Sequence, residues 1–246
     1  PPFARGKTTT YEFGTRIPYI VRWPGRGSPG QVRDEFVIHV DLMPTVLEIA
    51  GVSVPEIQAG RSLVPLFDGA NVSWRDALFT EFTAHGAGFA PQRAVRTDRY
   101  KLIHNLYPGH PKPGINVDGS EVRQALSDLK WVGTQIERVF RLIDNPVAFE
   151  LYDLENDPLE HRNLAGDSTL VDVEGDLKSR LLTWRRETID PLLDNTYFER
   201  LRTYTDAHEA AHRQAAEAAR SKGLDPPYNR IDMSLFQEDW PPPWTR

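Results

Sequence analysis

The sequence predicts an α/β protein with a second, smaller α+β unit, and three observations carry this prediction. Residues 1–88 alternate continuous apolar runs with a helix-type pattern, as the distal part of a larger α/β domain would. Residues 89–195 hold a hairpin pattern, a further strand and an amphipathic helix, which is typical of an antiparallel sheet with one covering helix. Residues 196–246 combine an alanine-rich charged helix with a tail rich in proline and tryptophan.

The first region contains two strand patterns and one helix pattern. The run from Ile17 to Gly25 is apolar, β-branched and closed by Pro-Gly, so we expect a buried strand there. Residues 39–51 predict a helix with Asp41 as N-cap and Gly51 as C-cap. Its expected apolar stripe is Leu42, Val46, Ile49 and Ala50. Residues 76–82, with the sequence DALFTEF, are the second candidate for a buried strand.

The second region predicts antiparallel pairing. Residues 93–105 form a hairpin pattern that turns at 97–99, and the strand FELYDLENDP that follows is stopped by Asn-Asp-Pro. Residues 176–190 predict an amphipathic helix. One face of the second hairpin strand is expected to carry Tyr100, Leu102 and His104. The apolar side of the helix is expected to consist of Leu177, Leu181 and Trp184. The long insertion at 107–146 lies between hairpin and strand, and insertions of this length are often functional.

Composition narrows the classes of function. The chain has 246 residues and a net charge of −6, so it does not predict a nucleic-acid surface. The absence of cysteine excludes disulfides, thiolate metal sites and cysteine nucleophiles within this chain. No apolar run approaches membrane-spanning length, and we expect no membrane partner. The chain opens with Pro-Pro-Phe instead of methionine, so we expect a processed or incomplete piece.

The motif His208-Glu-Ala-Ala-His212 matches the zinc-peptidase pattern H-E-x-x-H. On a helix, this spacing puts both imidazoles on one face with the glutamate near a metal-bound water. The surrounding helix is charged around most of its circumference, and no G-x-x-H follows His212. We therefore interpret the motif as part of a solvated or subunit-contacting helix, not as a peptidase centre.

Five segments in order resemble the C-terminal half of the formylglycine-dependent sulfatases of the alkaline phosphatase superfamily, closest to the sulfamidase (heparan N-sulfatase) branch. These segments are GKTTTYEFGTRIPYIVRWPG from Gly6, VDLMPTVLEIAGV from Val40, GRSLVPLFDG from Gly60, RAVRTDRYKLIHN from Arg93 and ELYDLENDPLEHRNLA from Glu150. Each is modest alone, but five in register across residues 6–165 are highly specific. The resemblance implies a hydrolase of sulfate esters or sulfamates, with a sulfated sugar as substrate.

The resemblance also implies which parts of a sulfatase lie elsewhere. The nucleophile of this family is a formylglycine made from the Cys or Ser of a C/S-x-P-x-R motif, and none of the serines here begins one. The family's divalent metal, with calcium as the expected ion, is bound mainly by residues upstream of the stretch that matches Pro1 to Lys7. We therefore expect a missing N-terminal half as partner, and no sulfatase activity from this chain alone. A phosphonate or phosphodiester hydrolase of the same superfamily and a noncatalytic sulfatase-like binding module remain the alternatives.

Three residues are candidates for the site. Lys7 matches the basic residue that contacts the sulfate group in this family, where a fixed cation would neutralise charge developing on the transferring SO₃ group. The alternative for Lys7 is a solvated loop lysine. His85 follows a predicted strand and enters a loop with glycine, so it either contacts substrate or faces solvent. Arg93 faces an acidic substrate or pairs with carboxylates in the hairpin.

Other residues receive structural interpretations. Arg5 has no counterpart in the resemblance and is expected at the surface, and His104 is expected as a satisfied core histidine. Asp41, Asp153 and Asp157 are read as caps and turn formers. The tail from Tyr197 to Arg246 is expected to mediate self-association. Its apolar anchors are Tyr197, Leu201, Phe236, Trp240 and Trp244.

The loops of the smaller unit are expected to select the substrate. Arg93, Arg96, the His85 loop and the insertion at 107–146 would together wall the entrance of a sulfate pocket. Because the chain is acidic overall, its attraction for a polyanion must be local. We therefore expect a small or chain-end sulfated sugar as substrate, such as N-sulfated glucosamine, in preference to an extended polymer.

Overall fold

A computed structural model of the chain describes residues 5–55, 59–69, 72–85, 88–110, 131–225 and 227. Its helices are α1 (Glu12–Thr15), α2 (Leu42–Ile49), α3 (Val64–Phe67), α4 (Gln135–Asp144), α5 (Val171–Glu187) and α6 (Asn195–Arg220). Its strands are β1 (Leu78–His85), β2 (Gly88–Arg96), β3 (Tyr100–Asn105) and β4 (Phe149–Asp153). The mixed α/β class and the antiparallel sheet with its covering helix are confirmed.

The described residues form two compact units. The sheet unit comprises residues 5–16 and 79–225, and the α2 unit comprises residues 17–78. The segment before Ile17 is therefore part of the sheet unit, although some sixty residues separate it from the first strand. The boundaries 1–88, 89–195 and 196–246 remain predictions.

The sheet has the order β1-β2-β3-β4, and its register decides which side chains share a face. Ala94 pairs with Ile103, and Ile103 pairs with Glu150, so these three side chains point to one face. Successive residues of a strand alternate between faces, which places Arg93, Leu102 and His104 on the opposite one. The predicted hairpin with its turn at 97–99 and the predicted shared face of Leu102 and His104 are confirmed.

Helix α5 covers the second face, as the sequence predicts. Its Leu177 and Leu181 are each only 2% exposed, and the ring of Trp184 stacks on Phe79 at 5.2 Å between centroids. Burial of two leucine side chains stabilises this contact by about 3 to 6 kcal/mol. The apolar side predicted for this helix is confirmed.

Helix α2 begins at Leu42 and ends at Ile49, with Gly51 in the left-handed conformation just beyond it (φ 69°). Asp41 is the N-cap residue, but its carboxylate caps other groups: it accepts from the backbone N–H groups of Ile38 at 2.9 Å and Arg61 at 2.8 Å. It also receives both terminal nitrogens of Arg75, at 2.5 and 2.8 Å. Asp41 is therefore a buried structural carboxylate of the α2 unit.

Two apolar segments of the α2 unit are exposed in this chain. Residues 17–23 form no strand here, and Ile20 is 91% exposed. Exposure is expected of a strand segment whose neighbouring strands would belong to the upstream half of the protein. The predicted stripe of α2 is also exposed: Leu42 is 51%, Val46 53% and Ile49 49% accessible. The apolar pattern is present, but nothing described within this unit covers it.

Helix α6 forms where the charged helix was predicted, but two of its expected self-association anchors pack inside their own chain. Leu201 is 1% exposed and forms a cluster with Phe89 and Leu192, against which Tyr197 also packs. These two anchors therefore enter the core of their own chain. The anchors Phe236, Trp240 and Trp244 lie outside the described residues, as does the middle of the insertion, 111–130. Within the described ranges, no helix is long and apolar enough to cross a membrane.

Candidate functional site

Lys7 lies in a tight turn that presents its side chain to solvent. It is exposed, whereas the preceding Arg5 and Gly6 are buried. The backbone on both sides of it is in the left-handed region, with φ of 63° at Arg5 and 68° at Thr8, which residues other than glycine rarely adopt. The Thr9 hydroxyl donates to the carbonyl oxygens of Arg5 at 2.7 Å and Gly6 at 2.8 Å. The turn is therefore closed on itself and directs a lysine outward.

A glycine on α1 lets the turn pack closely. A Cβ atom at Gly14 would lie 2.6 Å from the Gly6 carbonyl oxygen and closer still to that of Thr9. Both are backbone atoms, so any side chain at position 14 would displace the turn. The space beneath Lys7 therefore requires glycine.

Tyr11 fixes the turn to the first face of the sheet. Its ring is fully buried against Ala94, Ile103 and Tyr152, and its hydroxyl lies 2.8 Å from both carboxylate oxygens of Glu150. The side-chain amide of Asn105 also donates to Glu150, at 2.7 Å. A buried carboxylate that accepts several hydrogen bonds holds its neighbours in one arrangement.

Glu160 holds the two ends of the same segment. Its carbonyl oxygen accepts a hydrogen bond from the Arg5 guanidinium, and its carboxylate accepts the backbone N–H of Glu12 at 2.7 Å. Lys101, only 1% exposed, lies 3.2 Å from Glu160 and 3.0 Å from Glu12. The cluster of Arg5, Tyr11, Glu12, Lys101, Glu150, Tyr152 and Glu160 is called the anchor cluster below.

Burial and charge shift the protonation of the anchor cluster. Burial and the nearby Glu150 raise the pKa of Tyr11 well above its ordinary value, so its hydroxyl stays a donor. Burial also raises the pKa of Glu160, although Lys101 opposes the rise. Burial works in the same direction on Glu12, but Lys101 and Arg96 outweigh it and hold the pKa of Glu12 below its ordinary value.

Arg5 corrects the sequence interpretation. It was expected at the surface, but it is 5% exposed, its guanidinium lies 4.3 Å from the centroid of the Tyr11 ring, and it forms a 3.9 Å ion pair with Glu150. The only sequence signal for it is its position two residues before Lys7. Its acceptors lie some 145 to 155 residues away, beyond the reach of local pattern reasoning.

Arg93 is buried on the second face of the sheet. All three of its guanidinium nitrogens have acceptors within the chain: Asp190 accepts from Nε and Nη2, both at 2.9 Å, and the Phe82 carbonyl accepts from Nη1 at 3.1 Å. Arg185 donates to the same carboxylate at 2.6 Å. Direct contact of Arg93 with a substrate would need this arrangement to open, and its binding role stays a prediction.

The candidate residues do not converge on one point. His85 is exposed at the last position of β1, and no side-chain hydrogen bond or ion pair joins Lys7, His85 and Arg93 within the described ranges. Arg96 lies on the first face of the sheet, 3.3 Å from Glu12, whereas Arg93 lies on the second. Arg93 and Arg96 therefore point to opposite faces, and their joint role at the entrance of a pocket stays a prediction.

A shallow cleft of about 320 Å³ lies on the first face, beside the anchor cluster. Its lining residues are Glu12, Arg16, Arg96, Asp98, Arg99, Leu154, Glu155 and Pro158. Arg99 is paired with Asp153 at 2.7 Å. Three arginines and three carboxylates line the cleft, so their formal charges cancel. This balance does not favour an anion.

His104 has the structural role that its sequence position predicts. Its imidazole stacks on Phe149 at 4.3 Å between centroids. Burial, together with the nearby Arg185 and Lys178, lowers the pKa of His104 to about 4. The ring is therefore neutral at physiological pH and packs as an aromatic group.

The H-E-x-x-H motif lies on α6, and its members have separate partners. Glu209 lies 3.6 Å from His110, and the His212 ring is 2.9 Å from the Pro227 carbonyl oxygen. No group of three or more His, Asp or Glu side chains in the described part of the chain is arranged to hold a metal ion. The residues described here therefore do not fit a zinc or calcium centre.

Comparison with known proteins identifies the class of protein to which this chain belongs. Residues 5–111 match the family model for the C-terminal domain of N-sulphoglucosamine sulphohydrolase. The chain is 32% identical over 193 residues to an ulvan-active sulfatase of Formosa agariphila and 30% identical over 204 residues to human N-sulphoglucosamine sulphohydrolase. Each alignment covers 77% of this chain. The chain is a homologue of sulfatases, and more particularly it carries the C-terminal domain of the sulfamidase type.

The relatives are much longer than the chain. It spans 37% of the length of the Formosa sulfatase and 40% of the human enzyme. Among solved structures, a phosphonate monoester hydrolase of Silicibacter pomeroyi has a TM-score of 0.53, with 24% identity over 77% of this chain and 32% of that one. At this identity the likeness shows the fold alone.

Proposed function

We propose that this chain is the C-terminal part of a sulfatase that hydrolyses sulfate esters or sulfamates of sulfated sugars. The observation that carries the proposal is the match of residues 5–111 to the sulfamidase C-terminal domain, which includes the turn that exposes Lys7. A lysine held by a rigid turn needs little reorganisation when charge develops on a transferring sulfuryl group. Lys7 is therefore assigned to the sulfate group.

The remaining machinery of the proposed enzyme would lie outside this chain. We infer that the formylglycine nucleophile and the residues that bind the divalent ion, with calcium as the expected ion, belong to the upstream part of the protein. The residues described here do not gather into a metal centre, so no step at the metal is assigned to them. Lys7 would bind and orient the sulfate group, and His85 would act at the substrate side. Arg93 would join it only where its bonds to Asp190 open. The 246-residue chain alone is expected to be inactive.

Replacement of Lys7 tests the proposal in the complete protein. Lys7→Ala should lower kcat/KM by about a hundredfold, because one preorganised electrostatic contact is lost. Arg22→Ala, at an exposed position of the α2 unit, is the matched control for the loss of a positive charge. Near-normal kinetics of Lys7→Ala would show that the lysine is a surface residue.

The substrate class is tested with paired substrates. The proposed function predicts hydrolysis of N-sulfoglucosamine in preference to O-sulfated sugars and simple aryl sulfates. Aryl sulfates turned over without sugar discrimination would remove the sulfamidase assignment and keep the sulfatase one. A phosphonate or phosphodiester hydrolase is the second candidate, because the sequence resemblance extends to the superfamily that contains both activities. Faster turnover of phosphonate monoesters or phosphodiesters than of sulfates would favour it, and no turnover of any substrate would favour a noncatalytic binding module.

A further inference from the structure

We propose that Glu160 is a positioning residue that clamps both ends of the Lys7 turn and thereby keeps the lysine in its working orientation. The inference rests on the proposed function of Lys7. Residues 5 and 12 bracket the turn, and Glu160 bonds to both: its carbonyl oxygen accepts from the Arg5 guanidinium and its carboxylate from the Glu12 backbone N–H at 2.7 Å. One residue, distant in sequence, therefore closes the segment that carries Lys7.

Backbone strain shows that the turn needs such a clamp. Four residues other than glycine have positive φ in the described chain, namely Arg5, Thr8, Glu160 and Ile189. Two of them flank Lys7 and a third is the clamp itself, with φ of 56°. A left-handed backbone at such residues persists only when surrounding contacts enforce it, and strain of this kind clusters at functional sites. The strained positions and the clamp thus belong to one arrangement.

The clamp lies among buried, paired charges. The cations Arg5 and Lys101 face the carboxylates Glu150 and Glu160, and all four side chains are at most 2% exposed. Low local dielectric strengthens each of these contacts and penalises any that is lost. A substitution of one of these carboxylates should therefore disturb the contacts of Arg5, the first residue of the turn.

Burial raises the pKa of Glu160, so the fold disfavours its charged form relative to the unfolded chain. Glu174 offers the opposite case in the same unit. It accepts the Gly166 backbone N–H at 2.8 Å and pairs with Lys178 at 2.6 Å, and despite partial burial these contacts hold its pKa below the ordinary value. Glu174→Ala is thus a matched control, because it removes a lysine-paired, backbone-bonded carboxylate whose partners are Gly166 and Lys178 and not the turn.

The decisive experiment measures Glu160→Ala in the complete protein by hydrogen exchange and by kinetics, because the amide oxygen of a glutamine could still accept the Glu12 N–H. Peptides within residues 5–12 should exchange about tenfold faster than in wild type, and kcat should fall about tenfold while KM changes less than about twofold. Glu174→Ala should change neither quantity. In a Lys7→Ala background, Glu160→Ala should lower kcat no further, because it acts through the lysine.

Each contrary result has a separate meaning. Unchanged exchange at residues 5–12, or a fall in kcat of equal size in the Lys7→Ala background, overturns the clamp. Normal kinetics of Lys7→Ala would refute the proposed role of the lysine, and the exchange data would still decide whether Glu160 orders the turn. Where Glu160→Ala does not fold, Glu160→Asp replaces it: the shorter side chain keeps its charge but withdraws the carboxylate from the Glu12 N–H, so faster exchange at residues 5–12 and a lower kcat are again expected. A Glu160→Asp enzyme with unchanged exchange and normal kcat would also overturn the proposal.

Discussion

Removal of the Asp190 carboxylate is the sharpest test of how the sheet unit is held together. The side chain is 1% exposed and receives Arg93 at 2.9 Å, Arg185 at 2.6 Å and the backbone N–H of Leu192 at 3.1 Å. Although burial opposes it, Arg93 and Arg185 hold the pKa of Asp190 below its ordinary value. Asp190→Asn would leave the buried Arg185 and Arg93 with one counter-charge, the exposed Glu81 at 3.4 Å from Arg93.

The expected loss is about 3 to 5 kcal/mol of unfolding free energy, the usual effect of breaking a buried ion pair from one side. For a unit of this size, such a loss lowers Tm by about 6 to 20 °C. Urea unfolding followed by circular dichroism measures it directly. Asp176→Asn on α5 is the control, because its carboxylate is exposed and lies 4.0 Å from Arg180; a change within about 0.5 kcal/mol is expected.

The dependence of the unfolding free energy on pH is a second test of the role of Asp190. A carboxylate whose folded pKa is depressed contributes stability above its unfolded pKa, about 4, and loses it as the pH falls through the folded value. The difference between wild type and Asp190→Asn should therefore narrow below pH about 4. A loss smaller than about 1 kcal/mol at pH 7 would refute the structural role of this network. Replacing Arg93, Arg185 and Asp190 together by apolar residues should then restore much of the stability, because no buried charge remains unpaired.

Three further predictions concern the packing of the chain. His104 is neutral in the fold, with a pKa of about 4, and takes up a proton more readily in the unfolded chain. The free energy of unfolding should therefore fall by up to about 2 kcal/mol from pH 7 to pH 5, and denaturant titrations of His104→Leu should lack this loss. Leu201→Ala should cost about 2 to 5 kcal/mol by opening a cavity, whereas Leu224→Ala, at a position 61% exposed, should change the same unfolding midpoint little. Val46→Lys should reduce self-association of the 246-residue chain in light scattering without lowering Tm, because the α2 stripe is exposed; an unchanged mass distribution would contradict this.

Local sequence patterns were sufficient for the elements whose partners are nearby in the chain. The alternation in residues 93–105 and the turn at 97–99 predicted the hairpin, since both strands and their connection lie within thirteen residues. The apolar positions Leu177 and Leu181 predicted the covered side of α5 because helical period and burial agree there. Capping and turn residues likewise predicted α2 and the end of β4.

Tertiary structure decided everything that depends on distant partners. The apolar run from Ile17 reads as a buried strand, yet pairing is a property of two strands, and no described strand lies beside it. Lys101 on β3 is buried because Glu12 and Glu160, one far before it and one far after it in the chain, both pair with it. Arg5 is likewise buried against partners far from it in the chain. By itself the sequence determined the class of fold and singled out Lys7. Only the folded chain determined that this lysine lies in a turn held by buried charges, because those charges are too far apart in sequence for local patterns to connect.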